Sequence, residues 1–168
     1  MKKIIAVVLC LTIVFAFTAC VSRPVQTVEA TTISEKSNRV STKSVADIYM
    51  DIVSLVKSDD FLEVDSARIT ELYDIEAGLV AEAYIATFTI PDAAFPGQIV
   101  LVEAVDEASA EKIKDKLDVK LADIKSQAES YDPVSSKLAD ECEVLGSGKN
   151  VAFFFTDKYS DMEKAFFS

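Results

Sequence analysis

The chain has 168 residues, half of them hydrophobic, with 28 acidic against 17 basic side chains and a formal charge of −11. That length suits one ordinary domain, and the charge disfavours nucleic-acid phosphates as partners. Histidine is absent, which removes the commonest general base and the commonest metal ligand at neutral pH together.

Lys2 and Lys3 open the chain, an apolar run follows from Ile4 to Phe17, and Thr18-Ala19 places small side chains before Cys20. This is the three-part layout of an export signal, over residues 1–20. The run is shorter than the roughly 20 residues a spanning helix needs. Phe17-Thr18-Ala19-Cys20 resembles the lipobox of bacterial lipoproteins, with Phe17 in place of the usual Leu. The expectation is lipid on Cys20, holding the protein on the extracytoplasmic face of the cell membrane. Two or three acyl chains, at about 0.8 kcal/mol per buried methylene, anchor far more firmly than one.

Residues 21–43 carry Thr, Ser, Pro24 and scattered charge with little apolar periodicity, and read as a flexible tether. The remaining residues, 44–168, read as one domain. Here about 26 acidic residues face about 11 basic ones, so the negative charge belongs to the folded part. Cys142 is the one cysteine in this span, so no disulfide can form within it.

Ser44 with Asp47 three residues on suggests a helix start, and Val45, Ile48, Tyr49, Ile52, Val53 and Val56 fall on one helical face. Asp65 or Ser66 caps a shorter second helix through Ile69, Leu72 and Tyr73, interrupted by Asp74 and Gly78. Glu82 to Ile90 and Gln98 to Val105 are rich in β-branched and aromatic residues and read as strands. Pro91 to Gly97 joins them as the wide loop of an antiparallel hairpin.

From Glu107 to about Ser130 the spacing turns helical, with Ala110, Ile113, Leu117, Leu121, Ile124 and Ala128 on one stripe, Asp106 as cap and Pro133 as end mark. Cys142 to Leu145 and Val151 to Thr156 form a second strand pair around Gly146-Ser147-Gly148-Lys149-Asn150. A short helix from about Ser160 returns Met162, Ala165, Phe166 and Phe167 to the core. The fold class expected is α+β: an antiparallel sheet of about four strands in two hairpins, with helices packed mainly on one face.

Leu72-Tyr73-Asp74-Ile75, Glu82-Ala83-Tyr84, Tyr131-Asp132-Pro133 and Gly148-Lys149-Asn150-Val151 carry a resemblance over most of residues 44–167. In these segments and their order the chain resembles an uncharacterised family of Gram-positive lipoproteins, domain of unknown function 4358. The resemblance implies the lipoprotein address and the α+β architecture, and no catalytic residues. Asp74 stands where that family more often has Gly.

Four constellations suggest chemistry. Gly146-Ser147-Gly148-Lys149 has the composition of a phosphate-binding loop, but Asn150 replaces its Ser or Thr and a strand follows where a helix N-terminus is needed, so a hairpin turn is the better reading. Asp59, Asp60, Glu63 and Asp65 lack the turn glycine and terminal glutamate of a calcium loop, and read as a solvated connection. Asp140, Glu141 and Glu143 offer a carboxylate pair for hydrolysis, which needs a set separation and unequal pKa values. Cys142 has no histidine to activate it and reads as a buried structural thiol. No cofactor or metal site is expected.

Phe153, Phe154 and Phe155 place aromatics on both sheet faces, and with helices on one face alone they would expose an apolar partner surface. The function expected is a non-catalytic binding or interaction module taking a protein, peptide or envelope ligand. The alternatives are a carboxylate-dependent hydrolase and a structural accessory subunit of an envelope complex.

Overall fold

A computed structural model describes residues 41–168; the segment expected to be an export signal, Cys20, and all but the last residues of the expected tether lie outside the described residues. Helix α1 spans Val45–Leu55, and its N-cap Ser44 accepts the Asp47 N–H as the capping pattern requires. Strand β1 is Leu62–Val64. A 3-10 turn over Ser66–Arg68, capped by Asp65, leads into α2 at Ile69–Tyr73. Strands β2 (Val80–Phe88) and β3 (Gly97–Ala104) form the first hairpin. Helix α3 covers Glu107–Ala128 with Asp106 as cap, and α4 covers Pro133–Glu141. Strands β4 (Val144–Ser147) and β5 (Asn150–Phe155) form the second hairpin, and α5 (Tyr159–Phe166) closes the chain.

Among the described residues five strands form one antiparallel sheet in the order β1-β2-β3-β5-β4. The fold is α+β as expected, with five strands rather than about four. The added strand, β1, has three residues, too few to show an alternating pattern against its flanking acidic residues. The two hairpins meet where β3 pairs with β5, which buries β3 between two neighbours.

Pairing register separates the two faces of the sheet. Gly146 looks toward Lys114 of α3 and pairs with Val151, so Val151, Phe153 and Phe155 face α3. On the other side Phe154 meets the Phe166 ring of α5 edge-on at 6.5 Å, and Tyr84 stacks on Tyr49 of α1. Helices therefore cover both faces, α3 one and α1 with α5 the other, where most had been expected on one. That corrects the reading of the phenylalanine run: Phe153, Phe154 and Phe155 are each 0% exposed and form core rather than a partner surface. Each contributes roughly 1.5–3 kcal/mol relative to leaving its ring in water.

Pro133 does not simply end α3. It is the first residue of α4, with Asp132 as N-cap accepting the Ser135 N–H. Proline suits this position because its missing N–H would have no intrahelical partner there. The second oxygen of Asp132 accepts the Ala94 N–H at 2.7 Å, so one buried carboxylate ties the loop after β2 to the start of α4.

Two backbone positions confirm local readings of turn and stop. Gly148, with φ of 57°, opens the two-residue turn between the paired Ser147 and Asn150, the left-handed geometry that tight hairpins demand of glycine. Asp74 ends α2 with φ of 56°, and this is the conformation glycine adopts without strain, which explains why a glycine fits that position.

Candidate functional site

The residues singled out for chemistry do not converge. Asp59 is exposed, and Asp60 is held below the usual carboxylate range by hydrogen bonds from the Ser58 and Thr89 hydroxyls. Glu63 accepts from the Tyr49 hydroxyl at 3.1 Å, and Asp65 caps the 3-10 turn. Among the described residues no group of three or more acidic, cysteine or histidine side chains is placed to hold a metal ion. Asp140 and Glu141 are exposed and face Lys125 and Lys137 at 3.7 and 3.9 Å, and Glu143 is exposed on the approach to β4. Burial pushes the Cys142 thiol up to about 11, so it stays protonated at neutral pH.

A concave site lies elsewhere, on the α3 face beside β1. Helix α3 runs across β3, β5 and β4, and beside β1 and the adjoining part of β2 the α2 residues Leu72 and Tyr73 line a gap. The gap is a pocket of about 350 Å³ with Leu62, Val64, Leu72, Ile85 and Pro96 as apolar walls. Its volume falls within the range of small ligand pockets. Leu62 is 60% exposed, so the pocket mouth is greasy.

Polar groups sit at one end of it. The Tyr73 hydroxyl donates to Gln98 Oε1 at 3.2 Å, and burial pushes that phenol up to about 12. Lys120 of α3 holds its ammonium 5.8 Å from the Tyr73 ring centroid, a cation–π arrangement. Arg68 lines the same pocket but is clasped by both Glu71 oxygens at 2.9 and 3.0 Å. An apolar group with an acceptor or anionic end matches this lining: hydrocarbon against the walls, the polar end toward Lys120 and Tyr73.

The family Domain of unknown function (DUF4358) matches residues 54–156. The chain belongs to this family. No curated protein matches the chain, and no solved structure does. Among the described residues, every one lining the pocket falls inside the DUF4358 span, whereas α5 and nearly all of α1 lie outside it.

The pocket was not foreseen from the sequence, because its walls come from β1, α2, both strands of the first hairpin and α3. One signal was present. Leu72-Tyr73-Asp74-Ile75 is among the segments that carry the family resemblance, and it supplies a pocket wall, the buried phenol, the left-handed stop and a fully buried core residue in turn.

Proposed function

We propose that this protein is an exported lipoprotein, held by lipid on Cys20 at the extracytoplasmic face of the cell membrane, whose α+β domain is a non-catalytic binding module. The anchor rests on the Lys2-to-Cys20 layout. The binding role is carried by one observation: the apolar pocket between β1, α2 and α3, with the Tyr73–Gln98 pair and Lys120 grouped at one end. Such a lining suits recognition, since apolar walls give affinity and a few placed polar groups give orientation. The carboxylates considered for hydrolysis favour it less, being exposed and set against lysines.

Two measurements test the two halves. Mass spectrometry of the mature N-terminus should find an acylated peptide starting at Cys20, and Cys20→Ser should release the domain from membranes or block processing. An unmodified start elsewhere removes the anchor. Titration of the labelled chain with naphthoate, an apolar anion, should move resonances of Tyr73, Gln98 and Lys120, and Leu62→Asp should weaken that response about tenfold. Signals that stay still at those residues remove the pocket as the binding site.

A further inference from the structure

Among the described residues, strand β1 pairs only with Ile85, Ala86 and Thr87. Past Val64 the chain turns away into the Asp65-capped 3-10 turn, so Val80 and Glu82 to Tyr84 of β2 pair with β3 on one side and, among the described residues, with no strand on the other. In an antiparallel ladder alternate residues turn their N–H and C=O to opposite neighbours. The stretch from Ala81 to Tyr84 therefore has backbone donors and acceptors along its outer edge that no strand among the described residues takes up. Ala81 and Ala83 have side chains too small to screen them.

This edge is not flush with the surface. A groove of about 460 Å³ runs along it, bounded by Ser66, Ala67, Ile69 and Ala77. A second depression of about 330 Å³ adjoins it at Ser66, Ala83 and Tyr84 and includes Glu63 and Asp65. With Glu82 that makes three carboxylates, and among the described residues neither hollow is lined by a lysine or arginine. Edges are ordinarily protected by lysine, proline, a bulge or a covering element. Here the protection is partial: the pairing register slips between Val80 and Glu82 and bounds the open stretch at its far end.

We propose that an extended, lysine- or arginine-bearing peptide segment of a partner protein adds to the sheet along β2 from Tyr84 toward Ala81, prolonging the line of β1. Main-chain hydrogen bonds to the edge supply the affinity, as in other strand-addition complexes. The surrounding carboxylates select for cationic side chains and speed the encounter. A second copy is a poor occupant, because it would set Glu63, Asp65 and Glu82 of one chain against the same groups of another. The inference rests on the binding-module reading and names a partner class for a surface distinct from the pocket.

The experiment uses the full-length chain, ¹⁵N-labelled in zwitterionic detergent, titrated with the acetylated, amidated peptide Lys-Val-Lys-Val-Lys-Val. Amides of Ala81 to Tyr84 and of Ser66 and Ala67 should shift, and exchange at the β2 edge should slow. A Glu-Val peptide of equal length should bind at least tenfold more weakly, and Glu82→Gln, which leaves the edge intact, should narrow that preference severalfold. A peptide N-methylated at every residue should produce none of these shifts. The proposal is overturned if the Lys-Val peptide leaves the β2 amides unmoved, or if the N-methylated peptide acts as well. Edge protection before any peptide is added also overturns it: concentration-dependent protection assigns the edge to a second copy, and concentration-independent protection to the chain's own residues. A silent edge together with a naphthoate response at Tyr73 would end strand addition while leaving the binding module standing.

Discussion

Tyr49 of α1 and Tyr84 of β2 stack with ring centroids 4.6 Å apart and planes 21° from parallel, and each phenol donates to a different glutamate, Tyr49 to Glu63 and Tyr84 to Glu82. The pair fastens α1 to the edge of the sheet beside the open groove. Burial, then the Glu63 bond, raises the Tyr49 pKa; the Glu82 bond, then partial burial, raises that of Tyr84. Burial also raises Tyr73, to about 12, and Tyr159.

The sign of the alkaline behaviour follows. A phenol whose folded pKa exceeds the unfolded value near ~10 stabilises the fold below that value, and the contribution is lost as pH rises through the folded pKa. Tyrosinate absorbance from these four residues should lag behind free tyrosine and then rise together with loss of circular dichroism. A smooth titration centred near ~10 with the dichroism unchanged would contradict the packing described.

Gly97 pairs directly with Phe88, and the Phe88 ring lies over the glycine where a Cβ would project. Gly97→Ala should therefore cost about 1–3 kcal/mol by overpacking, read by denaturant unfolding. Adding Phe88→Leu should return part of the loss. Equal damage with and without the Phe88 change would show that the ring is not the obstacle.

Asp132 uses both carboxylate oxygens, one on Ser135 of α4 and one on Ala94 of the loop. These bonds, led by Ser135, hold its pKa below the ordinary carboxylate value. Its stabilising effect is thus full at neutral pH and lost as pH falls through that lowered pKa. Asp132→Ala should lower Tm by several degrees at pH 7 and less in acid. Asp132→Asn, with one acceptor instead of two, should fall between; a pH-independent difference would count against the carboxylate's role.

Phe154 is fully enclosed between the sheet and α5. Truncation to alanine should cost about 3–5 kcal/mol, seen as a shifted unfolding midpoint. A stable variant that had lost only partner binding would restore the surface reading that its burial corrects.

Much of the fold was legible in local chemistry. Both hairpins, the long helix capped by Asp106 and the glycine turn at Gly148 follow from period and turn residues, because each is stabilised within a short span of chain. Helix α4 is absent from the sequence reading, where Pro133 stands only as the mark after the long helix, although Asp-Pro is equally a cap followed by a first helical residue. The Phe153 to Phe155 run shows that both sheet faces want cover without saying which helices supply it. The pocket and the open edge are properties of how elements stop, β1 after Val64 and α3 short of β1, and no single segment encodes where a neighbour ends.

The seam between β3 and β5 ties the middle of the chain to its last twenty residues across the whole of α3 and α4. Non-local pairing of this kind is slow to form, and here it waits until β5 has followed α3 and α4 out of the ribosome. A chain interrupted before β5 would therefore leave one edge of β3 without the neighbour that completes the sheet.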